Sequence, residues 1–319
     1  MRLFPSDAYP LPLPTGHRFP LDKYRLLRER LEHERDRGMP FEFVQPHAAT
    51  EEELLRVHDP LYLRRVFEGT LTDGEVRRIG FPWSAQLVER SRRSTGAAVD
   101  AARTACDEGV AASLAGGTHH AGIAFGEGYC LFNDTAVAAR AMQADGKIRR
   151  VLILDLDVHQ GNGTAEIFSG DETVFTCSVH GERNFPLRKV PGSLDIGLPD
   201  GAADEIYLEA VHLAVQESFV RSGLDLVLFI AGVDPFEGDR LGRLAVSRAG
   251  LAERDRIVFE AVIRTGVPLV IVCGGGYADD PAVVADLHAA TMIAAAKCLG
   301  VSGRSTGGRD PRDGPAGTR

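Results

Sequence analysis

The sequence predicts an α/β fold: one domain built on a mostly parallel β-sheet with helices on both faces. Three observations carry that expectation. From Gly109 onward, short β-branched apolar runs alternate with longer helical patterns, the rhythm of βα units. Several of the runs are apolar at successive positions, as strands covered on both faces must be. Polar residues then gather just after the runs, where an open α/β sheet places its ligand site.

The apolar runs place strands at 110–115, 151–158, 173–179, 224–233 and 267–273, and the helical patterns place helices at 133–144, 204–221, 247–265 and 281–299. Ahead of them, Leu21, Tyr24, Leu27 and Leu31 have amphipathic spacing, and Thr50-Glu51-Glu52-Glu53 is a capping box that opens a second helix. A third helix is expected over 84–107. No break in composition divides the chain before residue 301, so 1–301 reads as one catalytic domain. Residues 302–319 are Gly, Arg, Ser and Pro with almost nothing apolar, and read as a disordered tail.

With 319 residues, 44% of them apolar and 25% charged, the chain can bury a core large enough to hold a precise polar site. Thirty-six Lys and Arg against 45 Asp and Glu give a net charge of −9, a field that repels phosphate backbones and argues against a nucleic-acid partner. The five cysteines are widely spaced, odd in number and form no C-x-x-C pair, which fits a reducing cytoplasm better than a disulfide framework. The first fourteen residues hold four prolines and no signal-like apolar stretch. No apolar run reads as a membrane span, and a cytoplasmic protein is expected. A single sequence gives no oligomeric state.

Four runs end in unusual residues: Gly116-Gly117-Thr118-His119-His120-Ala121, Asp155-Leu156-Asp157-Val158-His159, Ala231-Gly232-Val233-Asp234 and Gly274-Gly275-Gly276-Tyr277. On a strand of period two, Asp155, Asp157 and His159 point to one side. They are either a satisfied hydrogen-bond network or cation ligands; Asp234 is either a further ligand or a turn residue before Pro235. Two carboxylates and one imidazole would leave a divalent ion an open position, the arrangement of catalytic sites; Zn²⁺ comes first, with Fe²⁺ and Co²⁺ admitted by the oxygen-rich set. The pair His119 and His120 could act as bases if Asp155 or Asn162 holds a tautomer. Tyr277 on its glycines is an aromatic stopper or a donor toward an oxyanion.

These segments, with Gly128-Tyr129-Cys130-Leu131-Phe132-Asn133-Asp134 and Leu154 to Thr164, resemble in order and spacing the motifs of the zinc-dependent histone deacetylase superfamily over roughly residues 15 to 300. The segment Phe236 to Gly242 is similar to a loop of its bacterial members and of class IV deacetylases. The resemblance implies an arginase/deacetylase-like fold and an amidohydrolase that removes acyl groups from the ε-amine of lysine. It implies Asp157, His159 and Asp234 as zinc ligands, His120 as general base with Asn162 behind it, His119 as its electrostatic partner paired with Asp155, and Tyr277 as oxyanion donor. Class I enzymes carry Asp at the Asn162 position, whereas classes II and IV carry Asn. Gly128, Tyr129, Phe185 and Leu241 would line the substrate channel. A structural K⁺ would sit among Asp155, Ser178 and the carbonyls of Asp157, His159 and Val179. The expected partner is an acylated lysine peptide or protein, with the class IV likeness suggesting long fatty acyl chains. Two alternatives stay open: an acetylpolyamine-type hydrolase of small acylated amines, and a catalytically weak acyl-lysine binding module. The Glu that marks a polyamine-selective relative is Leu241 here, and the two-manganese ureohydrolase carboxylate pattern is missing after Asp234.

Overall fold

The computed structural model describes residues 1–221 and 223–299; the tail expected from 302 lies outside them. The strands are β1 (Arg2–Phe4), β2 (Glu42–Phe43), β3 (Val110–Ser113), β4 (Val151–Asp155), β5 (Val174–Gly181), β6 (Leu194–Leu198), β7 (Leu226–Ile230) and β8 (Leu269–Val272). They form one sheet in the order β2-β1-β3-β8-β7-β4-β5-β6 with every pair parallel. The helices are α1 (Asp22–Asp36), α2 (Glu51–Leu55), α3 (Pro60–Glu68), α4 (Asp73–Ile79), α5 (Ala85–Glu108), α6 (Asp134–Ala144), α7 (Asn162–Ile167), α8 (Asp204–Phe219), α9 (Arg248–Thr265) and α10 (Pro281–Leu299).

Strand alternation sorts side chains into two cores. Val151 and Ile153 of β4, with Leu226, Leu228 and Ile230 of β7, pack under α5 and α6, whereas Leu152, Leu154, Val227 and Phe229 pack under α1, α8, α9 and α10. None of these nine side chains is exposed, so both faces of the central strands need apolar residues and the period-two pattern disappears into a continuous run. Among the described residues, α10 is the one helix long and apolar enough to cross a membrane, contrary to the sequence reading. It packs on α1 and α9 and buries Val284, Leu287 and Met292, the behaviour of a core helix.

The chain crosses from β3 to β4, lays β5 and β6 outward on one side, then returns to insert β7 and β8 between β4 and β3. This reversal brings the carboxyl ends of β3, β8, β7 and β4 side by side around one crevice, the topological switch point. Four strands stop short of the expected ends: β3 at Ser113, β4 at Asp155, β7 at Ile230 and β8 at Val272. Beyond β3, β4 and β8 the cause is local, because backbone N–H groups there leave the ladder to bind carboxylates. The short strands β1 and β2, the half-exposed β6 and the short helices α3, α4 and α7 were not anticipated; each is too brief to show a period.

Candidate active site

Because β4 ends at Asp155, the expected stacking of Asp155, Asp157 and His159 on one strand face is not what forms. Asp155 turns to His119, while Asp157, His159 and Asp234 bring ligand atoms within 4.8 Å of one another, all three residues buried. His159 Nδ1 lies 3.0 Å from Asp157 Oδ1 and 3.0 Å from Asp234 Oδ2. Backbone donors anchor both carboxylates: Gly275 N–H to Asp157 Oδ2 at 2.6 Å, His159 N–H to Asp157 Oδ1 at 2.9 Å, and Val158 N–H to Asp234 Oδ1 at 2.9 Å.

This donor set fits a divalent cation. One ring N–H cannot answer two carboxylate oxygens, and burial with the adjacent Asp157 charge pushes the Asp234 carboxyl up to about 7. A cation at the meeting point satisfies all three atoms and both charges. Glycine is required beside them, since a Cβ on Gly275 would stand 1.9 Å from Asp234 Oδ2 and 2.8 Å from Asp157 Oδ2.

The two histidines follow β3 with ring centroids 4.1 Å apart. His119 Nδ1 is 2.7 Å from Asp155 Oδ2, and His120 Nδ1 is 2.7 Å from Asn162 Oδ1, so both expected pairings are present. Burial disfavours charge on His119, but Asp155 and Asp157 outweigh it and lift the imidazole to about 9. Burial and the neighbouring His119 and His159 push His120 well below its usual value. Charge therefore rests on His119, and His120 is the neutral partner.

Two residues quoted in the sequence only as part of a motif hold this loop. Asp134 accepts the N–H groups of Gly117 and Thr118, each at 2.9 Å, and the Thr118 hydroxyl at 2.8 Å. Asn133 caps α6 by accepting Ala136 N–H at 3.0 Å and donates to Ala121 O at 3.0 Å. Their signal was legible: Asn-Asp ahead of an apolar periodic helix is an N-terminal cap pattern.

Tyr277 follows β8 with its ring 6.3 Å from that of His159. Asp239 aims it, accepting Tyr277 N–H at 2.6 Å through one oxygen and the N–H groups of Leu241 and Gly242 through the other. Burial and the carboxylates of Asp157 and Asp234 raise the phenol well above its ordinary value, so it remains a donor.

Gly128 and Tyr129 are the centre of a tight turn with φ of +56° and +68°, both left-handed. A Cβ on Gly128 would meet His120 Cδ2 at 2.7 Å and Phe185 at 3.2 Å. Phe185 stands edge-on to His120 at 4.9 Å; it and Leu241 are 38% and 39% exposed, at the rim. Asn184 donates to Leu241 O at 2.7 Å and ties their loops together. The Tyr129 ring packs against Phe81 and Phe19, at 5.1 and 5.2 Å, and lies 6.2 Å from the Tyr277 ring. Asp155 and Ser178 are register partners on β4 and β5, with Val179 next, and Ser178 Oγ is 2.9 Å from His180 Nδ1. Behind the histidines lie two small cavities, of about 40 and about 60 Å³, sharing walls at Phe19, Tyr24 and Tyr129. A larger pocket of about 860 Å³ opens at the opposite ends of β4 and β5, against Phe175 and Arg221, and holds none of these residues.

Three buried side chains placed to hold a cation, beside two buried histidine pairs at the switch point of a parallel sheet, have the layout of an α/β amidohydrolase of the deacetylase type. The histone deacetylase domain matches residues 17–293, and the chain belongs to that family. An uncharacterized protein of Picosynechococcus sp. is 44% identical over 272 residues, 85% of this chain and 90% of its own length. Histone deacetylase 2 of Arabidopsis thaliana is 28% identical over 76% of this chain and 65% of its own length, and the acetoin utilization protein AcuC of Staphylococcus aureus is 29% identical over 75% and 67%. The crystal structure of an HDAC homologue complexed with SAHA superposes with a TM-score of 0.79 at 25% identity, covering 93% of this chain and 83% of that one. An HDAC homologue from Aquifex aeolicus gives 0.78 at 25% identity, covering 92% and 83%.

Proposed function

We propose that this protein is a zinc-dependent lysine deacylase. The observation that carries the reading is the convergence of Asp157, His159 and Asp234 next to a neutral His120. Zn²⁺ held by these three residues would polarise the acyl carbonyl and lower the pKa of water toward roughly 7. His120 Nε2, its Nδ1 engaged by Asn162, takes the proton of the attacking water. Tyr277 donates its hydroxyl hydrogen to the oxyanion that develops on the carbonyl oxygen as water attacks the carbonyl carbon. His120 then returns the proton to the amine as the C–N bond breaks, leaving a carboxylate and a free amine. His119, paired with Asp155, keeps a positive charge beside the reaction. We assign a structural K⁺ to Asp155, Ser178 and the backbone near Asp157, His159 and Val179, and a reducing cytoplasm on the chemistry of five unpaired thiols.

The rim favours a lysine stem over a polyamine. Leu241 and Phe185 present apolar surface there, and an apolar rim offers a second ammonium nothing to bind. For the acyl group, the cavities of about 40 and about 60 Å³ accommodate an acetyl or another short chain. The class IV likeness suggests a longer fatty acyl chain, and the turnover comparison below separates the two.

The test is turnover of lysine peptides carrying acetyl, octanoyl and myristoyl groups, with acetylspermidine alongside, by zinc-loaded protein and by Tyr277→Phe. Acetyl-peptide hydrolysis that falls roughly 10²- to 10³-fold in the variant is expected. Turnover of acetylspermidine alone moves the protein to small-amine chemistry. No turnover by metal-loaded protein leaves an acyl-lysine binding module.

A further inference from the structure

Asn162 poses a physical problem for the base it supports. An amide is neutral, and its two ends can exchange places, so by itself it neither stabilises a protonated His120 nor fixes which ring nitrogen carries hydrogen. The partner pair has no such ambiguity, because Asp155 is a carboxylate in direct contact with His119.

A third group decides the matter. Asn162 Nδ2 donates to Glu127 Oε2 at 3.0 Å, and Glu127 in turn receives Arg78 Nε at 3.1 Å and Arg78 Nη2 at 3.3 Å. Arg78 is itself stacked 3.8 Å over the Phe125 ring. A carboxylate only accepts, so Asn162 must turn its NH₂ toward Glu127 and its oxygen toward His120. That orientation places the hydrogen of His120 on Nδ1 and leaves Nε2 with a lone pair.

The backbone fixes Glu127 as firmly as the side chains do. Glu127 and Cys130 close the tight turn through Glu127 N–H to Cys130 O at 3.0 Å and Cys130 N–H to Glu127 O at 2.9 Å. The last turn of α4 holds the same turn, with Arg78 O accepting Gly128 N–H at 3.1 Å and Ile79 O accepting Tyr129 N–H at 2.7 Å. These carbonyls have no partner inside their own helix. One short helix therefore places both the carboxylate and the arginine that orients it.

We propose that Glu127 is a positioning residue for the reaction: it orients and polarises the Asn162 amide, supplying from one hydrogen bond away the negative charge that the His120 pair lacks. This rests on the deacylase reading above and deepens it. Arg78 sets the Glu127 rotamer and damps its charge toward solvent.

The experiment uses the full chain, metal-loaded, as Glu127→Ala, Glu127→Gln, Asn162→Asp and the double variant Glu127→Gln/Asn162→Asp. Glu127→Ala is expected to lower kcat roughly 10- to 100-fold, the usual cost of losing such a supporting partner, with KM within about twofold and metal content unchanged. Asn162→Asp alone sets two carboxylates against each other and falls by a similar factor. In the double variant the new carboxylate meets His120 directly and Gln can donate to it, so kcat recovers above either single variant. A residue that only stabilised the turn would not give this rescue.

Nitrogen-15 NMR of labelled histidines reads the same relay without substrate: His120 carries hydrogen on Nδ1 in the parent and loses that fixed tautomer in Glu127→Ala. Parent-like kcat and an unchanged His120 signal in Glu127→Ala overturn the proposal, as does a double variant no better than its parts. If the parent hydrolyses no acyl substrate, the deacylase reading falls, and the tautomer measurement still decides whether the relay exists.

Discussion

His58 shows how a buried side chain far from the cation ligands serves the site. Its Nδ1 donates to Gly122 O at 3.0 Å and its Nε2 accepts Asn133 N–H at 3.0 Å, which requires the neutral ring. Burial pushes its pKa down to about 4, against 6.5 in the unfolded chain. The unfolded chain therefore binds a proton there between pH 6.5 and 4 that the fold refuses. Stability from this residue is intact above about pH 6.5 and is lost as pH falls through that window, by about 3 kcal/mol in all. His58→Gln, which can still donate and accept, is expected to flatten the difference between urea midpoints at pH 6.5 and 4.5. A slope identical to the parent's would remove His58 from the account.

At the scale of elements, the short helix α4 holds the Gly128–Tyr129 turn through its last carbonyls. It begins with a capping box, Thr72 accepting Glu75 N–H and Glu75 accepting Thr72 N–H, and it ends on Gly80 at φ +84°. A Cβ on Gly80 would lie 3.0 Å from the Tyr129 ring. Gly80→Ala thus combines left-handed strain, costing about 1 kcal/mol, with pressure on a tyrosine already held at positive φ. The expected outcome is a thermal midpoint lowered by a few degrees and a raised KM for acyl-lysine peptide, with kcat nearly preserved. A change in kcat alone would mean that the turn moves His120 instead. α4 escaped the sequence reading because seven residues do not show a period, although Thr72 and Glu75 carry the same cap signal as Thr50 and Glu53.

For the whole molecule, a cation held by His159 and Asp234 would tie the segments that follow β4 and β7, from residues 75 apart in the chain. A cation bound there and not in the unfolded chain stabilises by mass action, about 2.7 kcal/mol at a hundredfold excess over Kd. For a domain of this size that corresponds to roughly 4 °C. Calorimetry with and without a chelator is expected to show such a drop in the parent and none in Asp234→Asn. An equal drop in both would place the chelatable cation elsewhere.

The sequence by itself determined the fold class, the central strands and most helices, because burial on two faces and helical amphipathicity are written within a few neighbouring residues. It also picked out side chains that the fold brings together, His119, His120, Asp157, His159, Asp234 and Tyr277, since strand ends of a parallel sheet converge whatever connects them. It misjudged how they converge: Asp155 was grouped with Asp157 and His159 by a period that ends at Asp155, where backbone N–H groups turn from the ladder to the carboxylates. Only the tertiary structure decided that Asp239 aims Tyr277 and that Glu127 stands behind Asn162 from 35 residues away. Contacts across such separations depend on how the sheet closes on its helices, and no local pattern of hydrophobicity encodes that closure.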